Sequence, residues 1–283
     1  MKAFLGTGLL GSGFIKAMLK RGEQVQVWNR TASKAKALEA DGAKAFENVV
    51  DAVKGVDVIH LTFKEDQSVN EVLEKAKSGF KPGAIIIDHT TTSMEGAIER
   101  TALWKERGFV YLHAPVLMGP KDALEAGGFM LVSGDQAVIN MATPELSKMT
   151  GKLINLGPKE GKAAAMKLIA NLFLMTFSSG LSDTFHLAKT FDVSQEDLLS
   201  LFQSWDLGKS VPSRLQRIAK NDFKEPSWEL VMARKDAGLM MEAAKKKNAP
   251  LMVIPAVARV MDQKIKEGFG NYDWMVVTQD RKE

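Results

Sequence analysis

The chain has 283 residues, 45% of them apolar and 25% charged, enough for one large domain or two ordinary ones with full cores. Its formal net charge of +4 is mildly basic and suits an anionic small molecule as well as a nucleic acid. The absence of cysteine excludes disulfide frameworks, thiolate metal sites and cysteine nucleophiles, and it fits a reducing compartment.

The first half of the chain alternates. Short apolar runs at 3–6, 25–28, 57–63, 84–88 and 109–114 read as strands, and the segments 10–21, 33–41, 66–79 and 93–106 between them have helical periodicity. Strands alternating with helices imply parallel strands joined by right-handed crossovers, hence an α/β fold with an open, doubly wound sheet. Two further strand-like runs, 129–134 and 152–157, flank a helical stretch and are expected to finish that sheet. Beyond residue 160 the apolar residues recur at three- and four-residue spacing through 163–190, 195–204, 228–247 and 250–267, with Pro226-Ser227 and Pro250 as entries to the last two helices. The expected organisation is a sheet domain over 1–160 and an all-helical domain over 161–283.

Other signals narrow the partners. The four histidines (His60, His89, His113, His186) are scattered without ligand spacing, so no metal is expected. The run Lys245-Lys246-Lys247 lacks interleaved aromatics and reads as a solvated helix end, not a nucleic-acid contact. The start "MKAFLGTGLLGSGF" is punctuated by glycines and reads as a strand and turn, not a leader, and no segment reads as apolar for long enough to cross a bilayer. A soluble cytoplasmic protein is the expectation.

Directly after the first strand comes "GTGLLG", with Gly6, Gly8 and Gly11 at G-x-G-x-x-G spacing around Leu9 and Leu10. The first glycine permits a tight turn, the second lets the backbone approach a pyrophosphate, and the third lets the helix pack on the strand. Opening a strand–turn–helix unit of an alternating domain, this reads as a dinucleotide site. The end of the second strand reads "VWNRTASK", with Asn29, Arg30, Thr31 and Lys34 and no carboxylate for a ribose 2′-hydroxyl. Arginine pairs with a 2′-phosphate, so NADP(H) is the expected cofactor.

These residues carry a family resemblance over nearly the whole chain. The sequence resembles the β-hydroxyacid dehydrogenases, the group of 3-hydroxyisobutyrate dehydrogenase and the glyoxylate/succinic semialdehyde reductases, with imine reductases and 6-phosphogluconate dehydrogenase as more distant relatives. "FLGTGLLGSGF" resembles the family's opening, and "WNRT" that of its NADP-using members. The resemblance implies cofactor contacts at Phe63 and Lys64, at Thr91 in "DHTTTS" and at Lys235 in "ARKDAGL". It also implies a catalytic helix of the form Gly-x-Gly-x-x-x-Lys-x-x-x-Asn, matched by Gly161, Lys167 and Asn171, with Ala163 in place of the second glycine. Residues four apart share a helix face, so Lys167 and Asn171 project together, and the small Ala163 and Ala164 are expected to leave room for reacting groups. The implied activity is hydride exchange between nicotinamide and a carbonyl or alcohol carbon of a small aldehyde, semialdehyde or 3-hydroxyacid, with Lys167 as acid and base. A homodimer or tetramer is implied as well.

The substrate loop departs from the pattern. "HAPVLMGP" has His113, Leu117, Met118 and Gly119 where members commonly read Asp-Ala-Pro-Val-Ser-Gly-Gly. Leucine cannot donate the serine's hydrogen bond, so a bulkier, less polar carbonyl compound, or a carboxylate anchored elsewhere, stays open; His113 is a substrate contact or a helper in loop packing. Two alternatives follow: an imine reductase-like NADPH-dependent reductase, and a non-catalytic NADP-binding sensor or interaction protein. Retained Lys167 argues against the first and the Lys167/Asn171 pair against the second.

Overall fold

The computed structural model describes residues 1–279; residues 280–283, the end of the expected second domain, lie outside the described residues. The chain forms two compact units, Met1–Asn171 and Leu172–Glu283.

The first unit holds nine strands. β1 (Lys2–Leu5), β2 (Val25–Trp28), β3 (Lys44–Phe46), β4 (Val58–Leu61), β5 (Ile85–Asp88) and β6 (Val110–His113) make one sheet in the order β3-β2-β1-β4-β5-β6. All its pairs are parallel, with Lys2 opposite both Val25 and Val58. The helices between are α1 (Leu9–Lys20), α2 (Ala32–Lys36), α3 (Val49–Ala52), α4 (Asp66–Ala76) and α5 (Met94–Glu106). The expected doubly wound sheet is therefore present. Period-two alternation feeds two cores: Phe4 and Ile87 point to one face, while Ala3, Leu5 and Ile86 point to the other. Burial on both faces explains why these strands read as continuous apolar runs.

The runs at 129–134 and 152–157 do not finish that sheet. β8 (Phe129–Val132) and β9 (Lys152–Asn155) pair with β7 (Val116–Leu117) in a separate three-stranded sheet, β7-β8-β9, flanked by α6 (Pro120–Glu125) and α7 (Gln136–Leu146). β7 runs antiparallel to β8, with Leu117 opposite Phe129, and Pro115, which has no N–H, sits between β6 and β7 while its carbonyl accepts from Leu131 N. β3, α3 and β7 are too short to leave a periodic signal.

α8 (Lys162–Thr190) starts where the helical domain was expected to begin, but its first turns, through Asn171, belong to the first unit. The second unit continues with α9 (Gln195–Ser204), α10 (Val211–Lys220), α11 (Leu230–Lys246) and α12 (Ile254–Lys264). Leu230, Ala233 and Ala237 of α11 pack with Ala258 and Met261 of α12 and with Met275 and Val276. The buried Asp183 carboxylate of α8 accepts from the backbone N–H groups of Met252, Val253 and Ile254, at 2.7, 2.8 and 3.0 Å, and so caps α12. α12 begins at Ile254, with Pro255 in its first turn, later than Pro250 had indicated. One expectation is corrected here: α8 is long and apolar enough to cross a membrane by length and composition alone, and little of its most apolar stretch is buried.

Candidate active site

β1 ends in Gly6-Thr7-Gly8, and α1 follows at once. Gly6 has φ +96°, and a Cβ there would overlap the Thr62 carbonyl oxygen; a Cβ on Gly11 would overlap the Gly6 carbonyl oxygen. Both glycines fix the close approach of β1, α1 and the loop after β4. Gly8 differs. Nothing lies within 4 Å of a Cβ there, and as the N-cap of α1 it supplies no side-chain cap. The first-turn N–H groups of α1 are left for a ligand, which fits a pyrophosphate approaching over Gly8. Leu9 is 82% exposed beside this turn, whereas Leu10 packs partly on the core.

Thr7 N donates to Asn29 Oδ1 at 3.0 Å, and Asn29 Nδ2 donates to the Thr31 carbonyl at 3.1 Å. Asn29 thereby fastens the end of β2 to the glycine turn. Arg30, Thr31 and Lys34 are exposed around it, and neither cation has an ion pair among the described residues.

Phe63 and Lys64 follow β4, and Thr91 follows β5, so these residues rise from adjacent strand ends. Phe63 and Thr91 are half-buried and Lys64 is exposed, with Glu65 at 3.5 Å. Thr90 is the hub between them. Its Oγ1 accepts from Phe63 N at 3.0 Å, its N donates to Asp88 Oδ1 at 2.8 Å, and its carbonyl accepts from His113 Nε2 at 2.8 Å. His113, at 6% exposed, thus fastens the loop from inside, in keeping with the loop-packing reading. Burial lowers its pKa, keeping the ring neutral with the proton on Nε2.

The expected substrate loop is ordered by its own chain. Leu117 belongs to β7, Met118 packs on the core beside α6, and Gly119 N donates to Asp122 Oδ2 at 2.8 Å. That amide is already taken.

The start of α8 shows why its sequence is small. Gly161 has φ +75°, and a Cβ there would crowd Ile98 Cδ1 and Met94 Cγ at 2.8 and 2.9 Å. Ala163 N donates to Ser133 Oγ at 2.9 Å. Ala163 and Ala164 are fully packed, so their size serves close packing at the helix start and does not leave open space above the lysine as expected. One turn later, Lys167 Nζ donates to Asn171 Oδ1 at 3.0 Å. Half-burial of Lys167 lowers its pKa from the ordinary lysine value, because desolvation disfavours the ammonium. Lys235 stands on α11 in the second unit and pairs with Asp236 at 3.0 Å. Ser133, Asp88 and Thr90 carry this geometry without having been singled out; the segment "DHTTTS" was the one signal that pointed near them. No group of His, Asp and Glu suited to a metal occurs among the described residues.

A parallel sheet with an open glycine turn at the N-terminus of α1 defines a dinucleotide-binding protein. Residues 2–157 match the family described as the NAD binding domain of 6-phosphogluconate dehydrogenase. An uncharacterized oxidoreductase of Bacillus subtilis, YfjR, is 26% identical over 96% of each chain, and a probable 3-hydroxyisobutyrate dehydrogenase of Mycobacterium bovis is 29% identical over 88% of this chain and 87% of that protein. The fold overlays that of an imine reductase from Myxococcus stipitatus in complex with NADP+ with a TM-score of 0.88, at 21% identity, over 99% of both chains. The chain belongs to the family of that NAD-binding domain, among the β-hydroxyacid dehydrogenases, a family of nicotinamide-dependent oxidoreductases.

Proposed function

We propose that this chain is an NADP(H)-dependent oxidoreductase that transfers hydride between nicotinamide and the carbonyl or alcohol carbon of a small aldehyde, semialdehyde or 3-hydroxyacid. The observation that carries the reading is the Lys167–Asn171 hydrogen bond on a half-buried helix face. The bound cofactor supplies or accepts the hydride. Lys167 donates a proton from Nζ to the carbonyl oxygen as charge develops there, and as the neutral amine it accepts the alcohol proton in the reverse direction. Asn171 holds Nζ on the shared face. The lowered pKa of Lys167 eases both roles, since a catalytic group works best with a pKa near the operating pH.

Arg30 and Lys34, exposed beside an Asn29-fastened turn and without a carboxylate neighbour to repel a phosphate, support NADP(H) over NAD(H). The apolar substrate loop, with Leu117 in a strand and the Gly119 amide engaged by Asp122, favours a second reading, reduction of an imine. Following NADPH absorbance against aldehydes, keto acids and cyclic imines tests both. Turnover with carbonyl compounds is expected; turnover confined to imines selects the second reading, and tight NADPH binding with no turnover leaves only a sensor.

The exposed apolar side chains of α8, among them Leu172, Phe173, Met175 and Phe177, support a homo-oligomer that covers them. Light scattering after size exclusion is expected to give a multimer.

A further inference from the structure

In a sheet ordered β3-β2-β1-β4-β5-β6, the strand order reverses between β1 and β4, and ligands bind outside the carboxyl ends of the strands at such a switch point. The glycine turn and Arg30 lie on the β1–β2 side, so an adenosine half belongs there and the other half of a dinucleotide belongs over the loops after β4 and β5. Those two loops are tied together from below by one side chain.

Arg100 of α5 is 3% exposed. Its Nε donates to Tyr111 Oη at 2.8 Å, and Tyr111 Oη donates to Asp88 Oδ2 at 2.6 Å. Asp88 Oδ1 accepts from Thr90 N, and Thr90 Oγ1 accepts from Phe63 N, so this branch ends on the backbone of the loop after β4. The other branch runs through Nη1, which lies 2.7 Å from Asp66 Oδ1 and 3.3 Å from Asn70 Oδ1. Asp66 Oδ2 accepts from Ser93 N at 2.9 Å, so this branch joins the first residue of α4 to the N-cap of α5. Gly96 leaves room for the junction, because a Cβ there would overlap Asp66 Oδ1. Burial raises the pKa of Tyr111 well above the ordinary tyrosine value, so its hydroxyl remains a donor.

A buried guanidinium is an expensive way to fill a core, since apolar side chains of similar volume serve stability as well or better. What it offers is direction: planar N–H groups that fix two acceptors at set angles. We propose that Arg100 is a positioning residue that sets the loops after β4 and β5 for the nicotinamide half of the dinucleotide. The inference rests on the NADP(H) reading above.

The test compares NADPH with ADP-ribose 2′-phosphate, which lacks the nicotinamide, by calorimetry on full-length Arg100→Lys and Tyr111→Phe variants, with melting curves alongside. Arg100→Lys keeps the charge but loses the fork; we expect its Kd for NADPH to rise at least about fivefold while its Kd for the fragment stays within about twofold. Tyr111→Phe preserves the aromatic body and is expected to shift the same ratio less, so the comparison survives if Arg100→Lys does not fold. Equal losses for both ligands, or no loss for either, overturn the assignment. Wild-type protein that binds neither ligand would instead sink the NADP(H) reading itself.

Discussion

Lys167 and Asn171 stand one helical turn apart on α8, and the amine nitrogen donates to the amide oxygen at 3.0 Å. The pair precedes the exposed apolar stretch of the same helix, so one helix carries both the proposed proton donor and a candidate oligomer face. Replacing Lys167 by Ala is expected to lower kcat by roughly a hundredfold or more while NADPH affinity stays within about twofold. A pH–rate profile checks the role. Carbonyl reduction needs the ammonium and should decline as pH rises through a pKa below the ordinary lysine value, and alcohol oxidation should do the reverse.

Arg30 is exposed at the end of β2. Arg30→Ala should cut the ratio of kcat/KM for NADPH over NADH by about tenfold or more, the scale of one charge-assisted phosphate contact. An unchanged ratio would remove Arg30 from the 2′-phosphate site.

The glycines of the turn should separate by what surrounds them. Gly6→Ala meets the Thr62 carbonyl at a positive φ and should destabilise the protein by roughly 2–4 kcal/mol. Gly8→Ala meets no protein atom, so the melting temperature should hold while dinucleotide affinity drops. Equal destabilisation by both changes would contradict the open cradle.

Asp183 accepts three backbone N–H groups at the start of α12. Asp183→Ala should cost about 2–3 kcal/mol in denaturant melts, since three N–H groups at the helix start lose a charged acceptor. Burial works to raise the Asp183 pKa, but the hydrogen bonds from Met252, Ile254 and Val253 outweigh it and lower the net value. Its stabilising effect is therefore complete above the ordinary carboxylate range and fades as pH falls through the depressed folded-state pKa; Asp183→Asn should flatten that part of the acid limb.

His60 and His89 stack at 5.3 Å between centroids in the sheet's core, with His60 Nδ1 3.1 Å from His89 Nε2. Burial, and then the neighbouring His60, lowers the His89 pKa to about 3. The unfolded chain titrates such a histidine near its ordinary value, so below that pH the unfolded state binds the extra proton. Stability should then be lost from the ordinary histidine range down toward pH 3, at roughly a kcal/mol per pH unit for His89. Melting temperatures measured from pH 7 to pH 4 for wild type and His89→Leu check the sign: the variant should lose less on acidification.

Much of the fold was legible because its signals are local. The alternation of apolar runs with helical periodicity gave the parallel sheet, and "GTGLLG" located its dinucleotide turn, since both depend on neighbours within a few residues. The Lys167–Asn171 spacing likewise needs only a helix to bring the two side chains onto one face.

What the sequence by itself determined, then, is the periodicity, the glycine spacing and the four-residue register. The tertiary structure alone decided which small residues are open and which are packed. Gly8 faces space while Ala163 and Ala164 are sealed, although both stretches read as room for a ligand. It also decided that β8 and β9 leave the main sheet, that His113 turns inward to the Thr90 carbonyl, and that Arg100, ordinary in its helix, joins two loops. Each of these depends on partners far apart in the chain, such as Arg100 with Tyr111 or Asp66, and no local pattern encodes such a meeting.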